Sequence, residues 1–282
     1  MTKSDDAASV FERIAADAKY IGANVPAGEI AALAESRGMG PSELESVAAT
    51  LAHLAEKKRE KAVQMYLHTS HIPQKSPKTF DNFDFGRLKG KGCDAIAQLP
   101  TLSNLYARRN LALIGPEGVG KSHLAKAYGR ECCMRGMQAY YVKARELADK
   151  LAKAVRLGNE ASVMAQMIRP ACLIIDEIGR CRFDKACTDL FFHIVDARSE
   201  KDGPNLVLMT SNFTADKWDE CFTGGLHAAL HARPPLRRRN GVHDQGVELP
   251  RPGPGDVLRG DRTVGEQGPD NKVTRGKRQT NE

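Results

Sequence analysis

Residues 115–122 read Gly-Pro-Glu-Gly-Val-Gly-Lys-Ser and match G-x-x-x-x-G-K-[ST], the pattern of a phosphate-binding loop. The glycines allow backbone N–H groups to turn inward around phosphate oxygens. Lys121 is predicted to bring a positive charge to the β- and γ-phosphates of a nucleotide, and Ser122 an oxygen to Mg²⁺. An apolar strand is predicted at 111–114 and a helix from 123, so the loop leads into a helix N-terminus, whose dipole favours an anion. This context disfavours the alternative, a glycine-rich turn with an accidental lysine.

Two further strands are predicted to end in polar residues that suit nucleotide chemistry. The apolar run at 172–175 ends at Asp176, which is predicted to join the Mg²⁺ shell. Glu177 is placed to polarise a water for attack on the γ-phosphate. This favours an ATPase over a kinase, because a kinase transfers the phosphate to an acceptor substrate and needs no activated water. The strand at 206–209 precedes Asn212, whose side chain would orient that water. Without the phosphate loop, the same residues would equally suit solvated turns.

The predicted site therefore takes ATP and Mg²⁺ as cofactors. Its predicted nucleotide-binding residues are Gly115, Pro116, Glu117, Gly118, Val119, Gly120, Lys121, Ser122 and Asp176. Ser122 and Asp176 are also the predicted metal ligands, and Glu177 and Asn212 are the predicted catalytic residues.

The pattern of apolar segments divides the chain into a helical N-terminal region and linker (1–75), an ATPase domain (76–224) and a basic tail (225–282). Strands that alternate with helices predict an α/β fold, a parallel sheet flanked by helices, with the nucleotide at the carboxyl ends of the strands. The aromatic segment at 80–85 is predicted to pack on the core, the alternative being a place beside the adenine. The tail has no aromatic residue and is predicted to be disordered, because such a composition cannot bury a core.

Local signals predict several helix boundaries. Ser42, with Glu45 three residues later, predicts a capping box at the start of a helix, and the prolines that follow this helix end it in a linker. One helix is predicted near 95–106. Two helices are predicted between 146 and 168, with a break at Gly158.

Composition narrows the class of protein further. The 282 residues contain no run of about 18 apolar residues and no apolar signal core near the N-terminus, which predicts a cytoplasmic protein with no membrane partner. The seven cysteines form no C-x-x-C pair, as expected of reduced thiols rather than zinc or disulfide sites. The formal net charge is +7, but residues 225–282 hold eleven basic and seven acidic side chains, a net +4, so the charge is poor evidence for DNA binding.

Four segments together resemble the IstB-type ATPases, the transposition helper proteins of certain insertion sequences, and their relatives the DnaC-type loaders of the replicative helicase. The segments are Phe-Asp-Asn-Phe-Asp at 80–84, G-P-E-G-V-G-K-S-H-L-A from Gly115, L-I-I-D-E-I-G from Leu173, and T-S-N at 210–212 followed by Trp218. The phosphate loop is common to many families, but the combination is more specific, and the resemblance spans about residues 40–222. It implies a P-loop core of the AAA+ superfamily.

The resemblance implies an ATP-dependent switch that assembles as a homo-oligomer on DNA and engages a transposase or a replicative helicase. By position, the Walker A residues of the family match Lys121 and Ser122, the Walker B pair matches Asp176 and Glu177, and the first sensor matches Asn212. The DNA-facing region of the family matches the two helices between 146 and 168. The cations there are Arg145, Lys150, Lys153 and Arg156, of which Lys150, Lys153 and Arg156 are the predicted DNA contacts. A solvated helix face is the alternative role for these cations.

The chain departs from the family pattern after Phe222. Members continue with a helix bearing Leu-Asp-Arg, whose arginine reaches the γ-phosphate of the neighbouring subunit, and then with a Ser-Tyr-Arg strand. Permitted codons for residues 225–262, read one base later, yield both segments in family order. We therefore hypothesise one inserted base near the codon of Gly224, which resequencing of the gene there would test. The alternative is a natural disordered tail that binds nucleic acid non-specifically.

Loss of the family's arginine leaves two classes of function open, an ATPase that acts as a helper or loader and a nucleotide-gated binding module. An arginine finger is worth about 10³–10⁵ in kcat, so without one the protein would be a nucleotide-gated binding module that hydrolyses ATP poorly. Arg198, at the end of a predicted helix, is a candidate substitute, with a surface role as the alternative. A small-molecule kinase is disfavoured, because Glu177 directly follows Asp176.

Overall fold

The computed structural model describes residues 3–88, 92–223 and 245–248. Three helices form the N-terminal region: α1 (Lys3–Ile21), α2 (Ala27–Arg37) and α3 (Pro41–Thr69). Their apolar faces meet in a small buried cluster, whose members are Ile14, Ala34, Leu44 and Ala48. The N-terminal region thus has an apolar cluster of its own, separate from those of the sheet.

The long helix α3 starts at a different cap from the predicted one. The Gly40 N–H donates to the Glu43 carboxylate at 2.7 Å, so Gly40 is the N-cap. Pro41 suits the first helical position, because it has no N–H to leave unpaired there. The predicted cap at Ser42 is therefore wrong. The end of the helix before the linker prolines is as predicted.

The single helix predicted near 95–106 is divided into three short segments. These are α4 (Cys93–Ala97), a 3-10 segment (Leu99–Thr101) and α5 (Ser103–Tyr106). Pro100 offers no backbone N–H, and Leu102 has a φ of 56°, which interrupts right-handed helical geometry. The prediction of one continuous helix is corrected accordingly.

A parallel sheet follows. In chain order its strands and the intervening segments are β1 (Leu111–Ile114), α6 (Lys121–Met134), β2 (Ala139–Lys143), α7 (Ala144–Leu157), α8 (Glu160–Ile168), β3 (Cys172–Ile178), α9 (Lys185–Glu200), β4 (Leu206–Ser211), a 3-10 segment (Ala215–Cys221) and β5 (Gln245–Glu248). Within the described residues the strand order is β2-β3-β4-β1-β5, and every pairing is parallel. The predicted α/β fold class is confirmed, and so is the break between α7 and α8, where Gly158 has a φ of 64°.

The last strand lies in the tail. Apart from β5, residues 225–282 are outside the described residues, so the hypothesis of a frameshift and the predicted disorder concern parts of the chain that are not described. In β5, Gln245 pairs with Leu111 and Glu248 with Ile114 of β1. No strand is predicted here from the sequence. The free edge of β1 accepts an extended segment through backbone hydrogen bonds, which do not require a particular side chain.

Each face of the sheet buries one apolar cluster. Helix α6 covers one face, and the aromatic segment packs against the same cluster through Phe80, Phe83 and Phe85, which confirms the predicted core packing. Helices α7, α8 and α9 cover the other face, together with Trp218 and Phe222. None of the helices in the described part of the chain combines the length and the apolarity that a membrane span requires.

Arg198 lies inside the protein, near the end of α9, and is 1% exposed. Its guanidinium donates to five backbone carbonyls, those of Met167, Ile168, Pro170, Ala171 and Leu206. Burial lowers the pKa of Arg198 to about 10. A side chain enclosed in this way cannot reach the nucleotide of a neighbouring subunit. Neither candidate role of Arg198, as a substitute for the arginine finger or on the surface, is therefore correct, because its hydrogen bonds join α8 and the segment before β3 to β4.

Arg198→Ala is expected to lower the free energy of unfolding by about 3–5 kcal/mol. The change removes all five hydrogen bonds. The carbonyls of Pro170 and Ala171 keep another donor, Lys201 Nζ and the Leu206 N–H, whereas a buried carbonyl left without any donor costs about 1–3 kcal/mol before the cavity relaxes. Denaturant unfolding followed by circular dichroism measures the loss. Arg156→Ala, an exposed arginine on α7, is the control and should change stability by less than about 0.5 kcal/mol. Equal stability of the two variants would contradict the structural role of Arg198.

Candidate nucleotide-binding site

The phosphate loop connects β1 to the N-terminus of α6 at the carboxyl edge of the sheet. Gly118 and Gly120 have φ angles of 85° and 94°, a region that glycine adopts without strain. A Cβ at Gly120 would also lie 2.6 Å from the Phe83 ring, which excludes a larger residue. Phe83 packs edge-on against His123 with ring centroids 5.2 Å apart, so the aromatic segment supports the loop. The Val119 side chain packs against the core, so only the backbone of this residue is available to line the loop.

The ammonium group of Lys121 lies within the loop. Its Nζ donates to the carbonyl oxygens of Gly115 and Pro116, at 2.8 and 2.6 Å. The residue is 6% exposed, and burial lowers the pKa of its ammonium. Two of the three N–H groups of the Lys121 ammonium thus hold its positive charge in the loop, where this charge would neutralise phosphate oxygens.

Three hydroxyl groups converge on the carboxylate of Asp176, which is 1% exposed. Ser122 Oγ donates to Oδ1 at 2.8 Å, and Thr210 Oγ1 donates to the same oxygen. Tyr141 OH donates to Oδ2 at 2.6 Å, and burial, together with this hydrogen bond, raises the pKa of Tyr141. A buried carboxylate held by neutral hydroxyls fits a divalent cation, because Mg²⁺ prefers oxygen ligands and supplies a compensating charge. Ser122 and Asp176 are the residues that would hold it.

Glu177 has an uncommon backbone conformation, with a φ of 65°. This region costs a non-glycine residue about 1–3 kcal/mol, and the Glu177 N–H donates to Thr210 Oγ1 at 3.0 Å. The Glu177 carboxylate lies 3.7 Å from Lys143 Nζ and 3.7 Å from the Arg180 guanidinium. The single hydroxyl of Thr210 therefore joins the backbone of the predicted base to the carboxylate of the predicted metal ligand, Asp176.

A cavity of about 230 Å³ opens over the loop. Its lining residues are Glu117, Gly118, Gly120, Lys121, Ser122, His123, Glu177, Arg180, Thr210, Ser211 and Asn212. The structure thus brings most of the predicted loop, the predicted base and Asn212 to one cavity. Asp176 joins this group through its hydrogen bond to Ser122, whereas Gly115 and Pro116 contribute their carbonyl oxygens to Lys121.

Several residues of the site have no predicted role in the motifs: Tyr141, Lys143, Arg180 and Thr210. Arg180 also contacts the Glu117 carboxylate at 3.0 Å, so it links the loop to the end of β3. Thr210 could have been predicted from the sequence, because it stands two residues before Asn212 at the end of the same strand. Lys143 lies opposite Asp176 in the register of β2 and β3. The roles of Lys143 and Tyr141 could not be predicted from the sequence, because they depend on β2 being the neighbour of β3.

The cations predicted to contact DNA lie on α7 in unequal surroundings. Lys150 Nζ donates to Tyr140 OH at 2.6 Å and lies 5.2 Å from the centroid of its ring, so part of its charge is engaged within the protein. Lys153 and Arg156 are exposed, as is Arg145 in the first turn. Contact of these residues with DNA stays a prediction.

The chain is similar to ATP-binding proteins of bacterial insertion sequences. It is 31% identical over 163 residues to that of IS5376 from Geobacillus stearothermophilus, a match covering 58% of this chain and 63% of the relative. It is 32% identical over 145 residues to that of IS232 from Bacillus thuringiensis subsp. berliner, covering 51% of this chain and 57% of the relative. The matched part of the chain therefore spans less than two thirds of the length of these relatives.

Two solved structures are also similar to this chain. DnaI has a TM-score of 0.49 and 20% identity, with coverage of 61% of this chain and 90% of that one. The DnaC helicase loader has a TM-score of 0.44 and 17% identity, with coverage of 61% and 97%.

One family description covers most of the chain. The family described as IstB-like ATP binding protein matches residues 26–232. The match begins at α2 and includes the phosphate loop, both Asp176 and Glu177, and the polar end of β4. The chain therefore belongs to the IstB-like ATP-binding proteins.

Proposed function

We propose that this protein is a Mg²⁺-dependent ATPase that acts on DNA as the helper of a transposase. The observation that carries the proposal is one cavity lined by Lys121, Ser122 and Glu177, with Asp176 hydrogen-bonded to Ser122. Membership of the IstB-like family and similarity to ATP-binding proteins of insertion sequences support ATP as the nucleotide and transposition as the setting.

Each residue has a distinct task in the proposed hydrolysis. Lys121 would neutralise the β- and γ-phosphates, while the backbone N–H groups of the loop bind their oxygens. Mg²⁺, when bound by Ser122 and Asp176, would supply further positive charge at these phosphates. Glu177 would accept the proton of the attacking water, and the Asn212 amide would orient that water.

We also propose that the protein assembles on DNA as an ATP-dependent homo-oligomer. Because DNA is the proposed substrate, the proposed location is the cytoplasm, with no membrane partner. A DnaC-like loader of the replicative helicase is the alternative for the partner. Binding of the purified protein to the transposase of the same element, compared with binding to the replicative helicase, distinguishes the two. The insertion-sequence relatives favour the transposase.

The alternative for catalysis is a nucleotide-gated binding module with little hydrolysis. Burial of Arg198 favours it, because this side chain is not available as a substitute for the family's arginine. An absent arginine finger lowers kcat by about 10³–10⁵. Phosphate release by the purified protein, measured with and without DNA, separates the two functions. Release that DNA stimulates supports the ATPase, and tight ATP binding without release supports the module.

Replacing Lys150, Lys153 and Arg156 together by alanine is expected to weaken ATP-dependent DNA binding. Contacts to phosphates release counterions, so log affinity falls with log salt concentration, and each lost contact makes this negative slope shallower by about 0.9. Because Lys150 is hydrogen-bonded to Tyr140, the slope is expected to become shallower by about 2 rather than about 3. Fluorescence anisotropy with duplex DNA and a non-hydrolysable ATP analogue, at several salt concentrations, measures it.

A charge-matched triple variant controls for the loss of net charge. Lys19, Lys75 and Lys185 are exposed and scattered over the N-terminal region, the linker and α9. Their joint replacement by alanine removes the same charge and should leave the salt slope close to that of the parent. If both triple variants bind DNA as the parent does, the DNA-binding surface lies elsewhere.

A further inference from the structure

The second carboxylate oxygen of Asp176 has a donor from the edge of the sheet. Tyr141, on β2, is 7% exposed, and its hydroxyl donates a hydrogen bond to Oδ2 at 2.6 Å. The other oxygen, Oδ1, accepts from Ser122 and Thr210. Donors on both oxygens restrict rotation of the carboxylate, so Oδ1 stays turned toward Ser122 and the phosphate loop.

The hydroxyl of Tyr141 is not required for packing. Its ring lies in the apolar cluster beneath α6, beside Ile174, where a phenylalanine ring would occupy the same space. A phenol in such a cluster is costly unless it has a hydrogen-bond partner, and here the partner is the buried carboxylate. A hydrogen bond to an ionised acceptor is roughly twice as strong as one between neutral groups. The polar atom therefore serves Asp176 rather than the core.

The backbone of the same residue holds the linker from the N-terminal region. The Tyr141 N–H donates to the Ser70 carbonyl at 2.7 Å. Ser70 is fully buried, and its hydroxyl donates to the Leu67 carbonyl in the last turn of α3 at 2.8 Å. Tyr141 is thus fixed at both ends, by the linker through its backbone and by Asp176 through its side chain.

We propose that Tyr141 is a positioning residue for the metal site, which keeps Asp176 oriented so that Asp176 and Ser122 together can hold the magnesium of Mg–ATP. The inference rests on the proposed function, because it assumes that magnesium and ATP bind at this site. Residues that hydrogen-bond to a metal ligand orient it, and their removal costs about 10–100-fold in metal affinity.

The neighbouring tyrosine provides a matched control. Tyr140 lies on the same strand but belongs to the cluster on the opposite face of the sheet, where its hydroxyl accepts from Lys150. Tyr141→Phe and Tyr140→Phe remove the same atom, one at the metal site and one away from it. Tyr141→Met, which also removes the hydroxyl and keeps an apolar side chain, provides a second variant if the first does not fold.

The experiment measures binding of a non-hydrolysable ATP analogue at increasing Mg²⁺ concentration by calorimetry. We expect Y141F to need about 10-fold more Mg²⁺ for half-maximal binding, while its affinity for the analogue without metal equals that of the parent. Y140F should match the parent in both measurements. A merely structural role of Tyr141 would lower metal-free binding and thermal stability as well.

The possible results distinguish a failure of the proposed function from a failure of the positioning role of Tyr141. If the parent shows no magnesium-dependent binding of the analogue, the proposed function fails. If the parent shows it and both Y141F and Y141M have the magnesium dependence of the parent, the positioning role of Tyr141 is overturned and the proposed function stands.

Discussion

Lys121→Ala is expected to remove most of the ATP binding. The alanine deletes the charge that the carbonyl oxygens of Gly115 and Pro116 hold inside the loop. Removing one member of a buried charged contact costs about 2–5 kcal/mol. At about 1.4 kcal/mol per factor of ten, the Kd for Mg–ATP should rise by about 30-fold to a few thousand-fold. Isothermal titration calorimetry measures the change.

The control for this variant is Lys185→Ala. Lys185 is in the first turn of α9, with a side chain that is 80% exposed, and its replacement removes the same charge from a solvated position. Its Kd should stay within about twofold of the parent value, because exposed ion pairs contribute little. If Lys121→Ala binds Mg–ATP as tightly as Lys185→Ala does, the assignment of the phosphate loop is wrong.

Glu177→Gln is expected to stop ATP hydrolysis while ATP binding is retained. The amide cannot accept the proton of the attacking water, and loss of a general base lowers turnover by about 10²–10⁴-fold. Glutamine has the same length and also has a Cβ, so the backbone strain at φ 65° and the hydrogen bond to Thr210 are unchanged. Phosphate release under saturating ATP gives the turnover, and calorimetry gives the Kd.

Glu117→Gln is the matched control for the charge of the carboxylate. Glu117 lines the same cavity and pairs with Arg180, as Glu177 does, but its side chain is 81% exposed, and its predicted part in nucleotide binding is that of its backbone N–H, which the substitution keeps. Its turnover should remain within a few-fold of that of the parent. Equal turnover of Glu177→Gln and the parent would remove Glu177 from the mechanism, and equal losses in the two variants would indicate an effect of charge alone.

Features that depend on sequence neighbours were predictable. The phosphate loop depends on eight consecutive residues, and the break between α7 and α8 depends on one glycine with a positive φ. The strands that end near Asp176 and before Asn212 are continuous apolar runs, which a buried parallel strand requires. The sequence thus indicated the main elements of the sheet and the residues that carry the proposed chemistry.

Boundaries at which two local signals compete were less predictable. Both Gly40 and Ser42 suit a helix cap, and Pro41 decides in favour of Gly40 because it occupies the first helical position. The helix expected near 95–106 breaks at Leu102, whose side chain is fully buried at a φ of 56°. Burial of an apolar side chain there offsets the loss of helical geometry, and this gain is not visible in the local pattern.

By itself, the sequence determined a parallel α/β core around a phosphate loop, membership of its family, and the types of side chain available for catalysis. Only the tertiary structure decided that Arg198 serves the core and that Tyr141 and Thr210 meet at Asp176. The reason is the order of the strands: β3 lies between β2 and β4, so hydroxyls that are 35 and 34 residues away from Asp176 in the chain reach its two oxygens. Neighbours across a sheet are set by packing of the whole domain, which short-range periodicity does not encode.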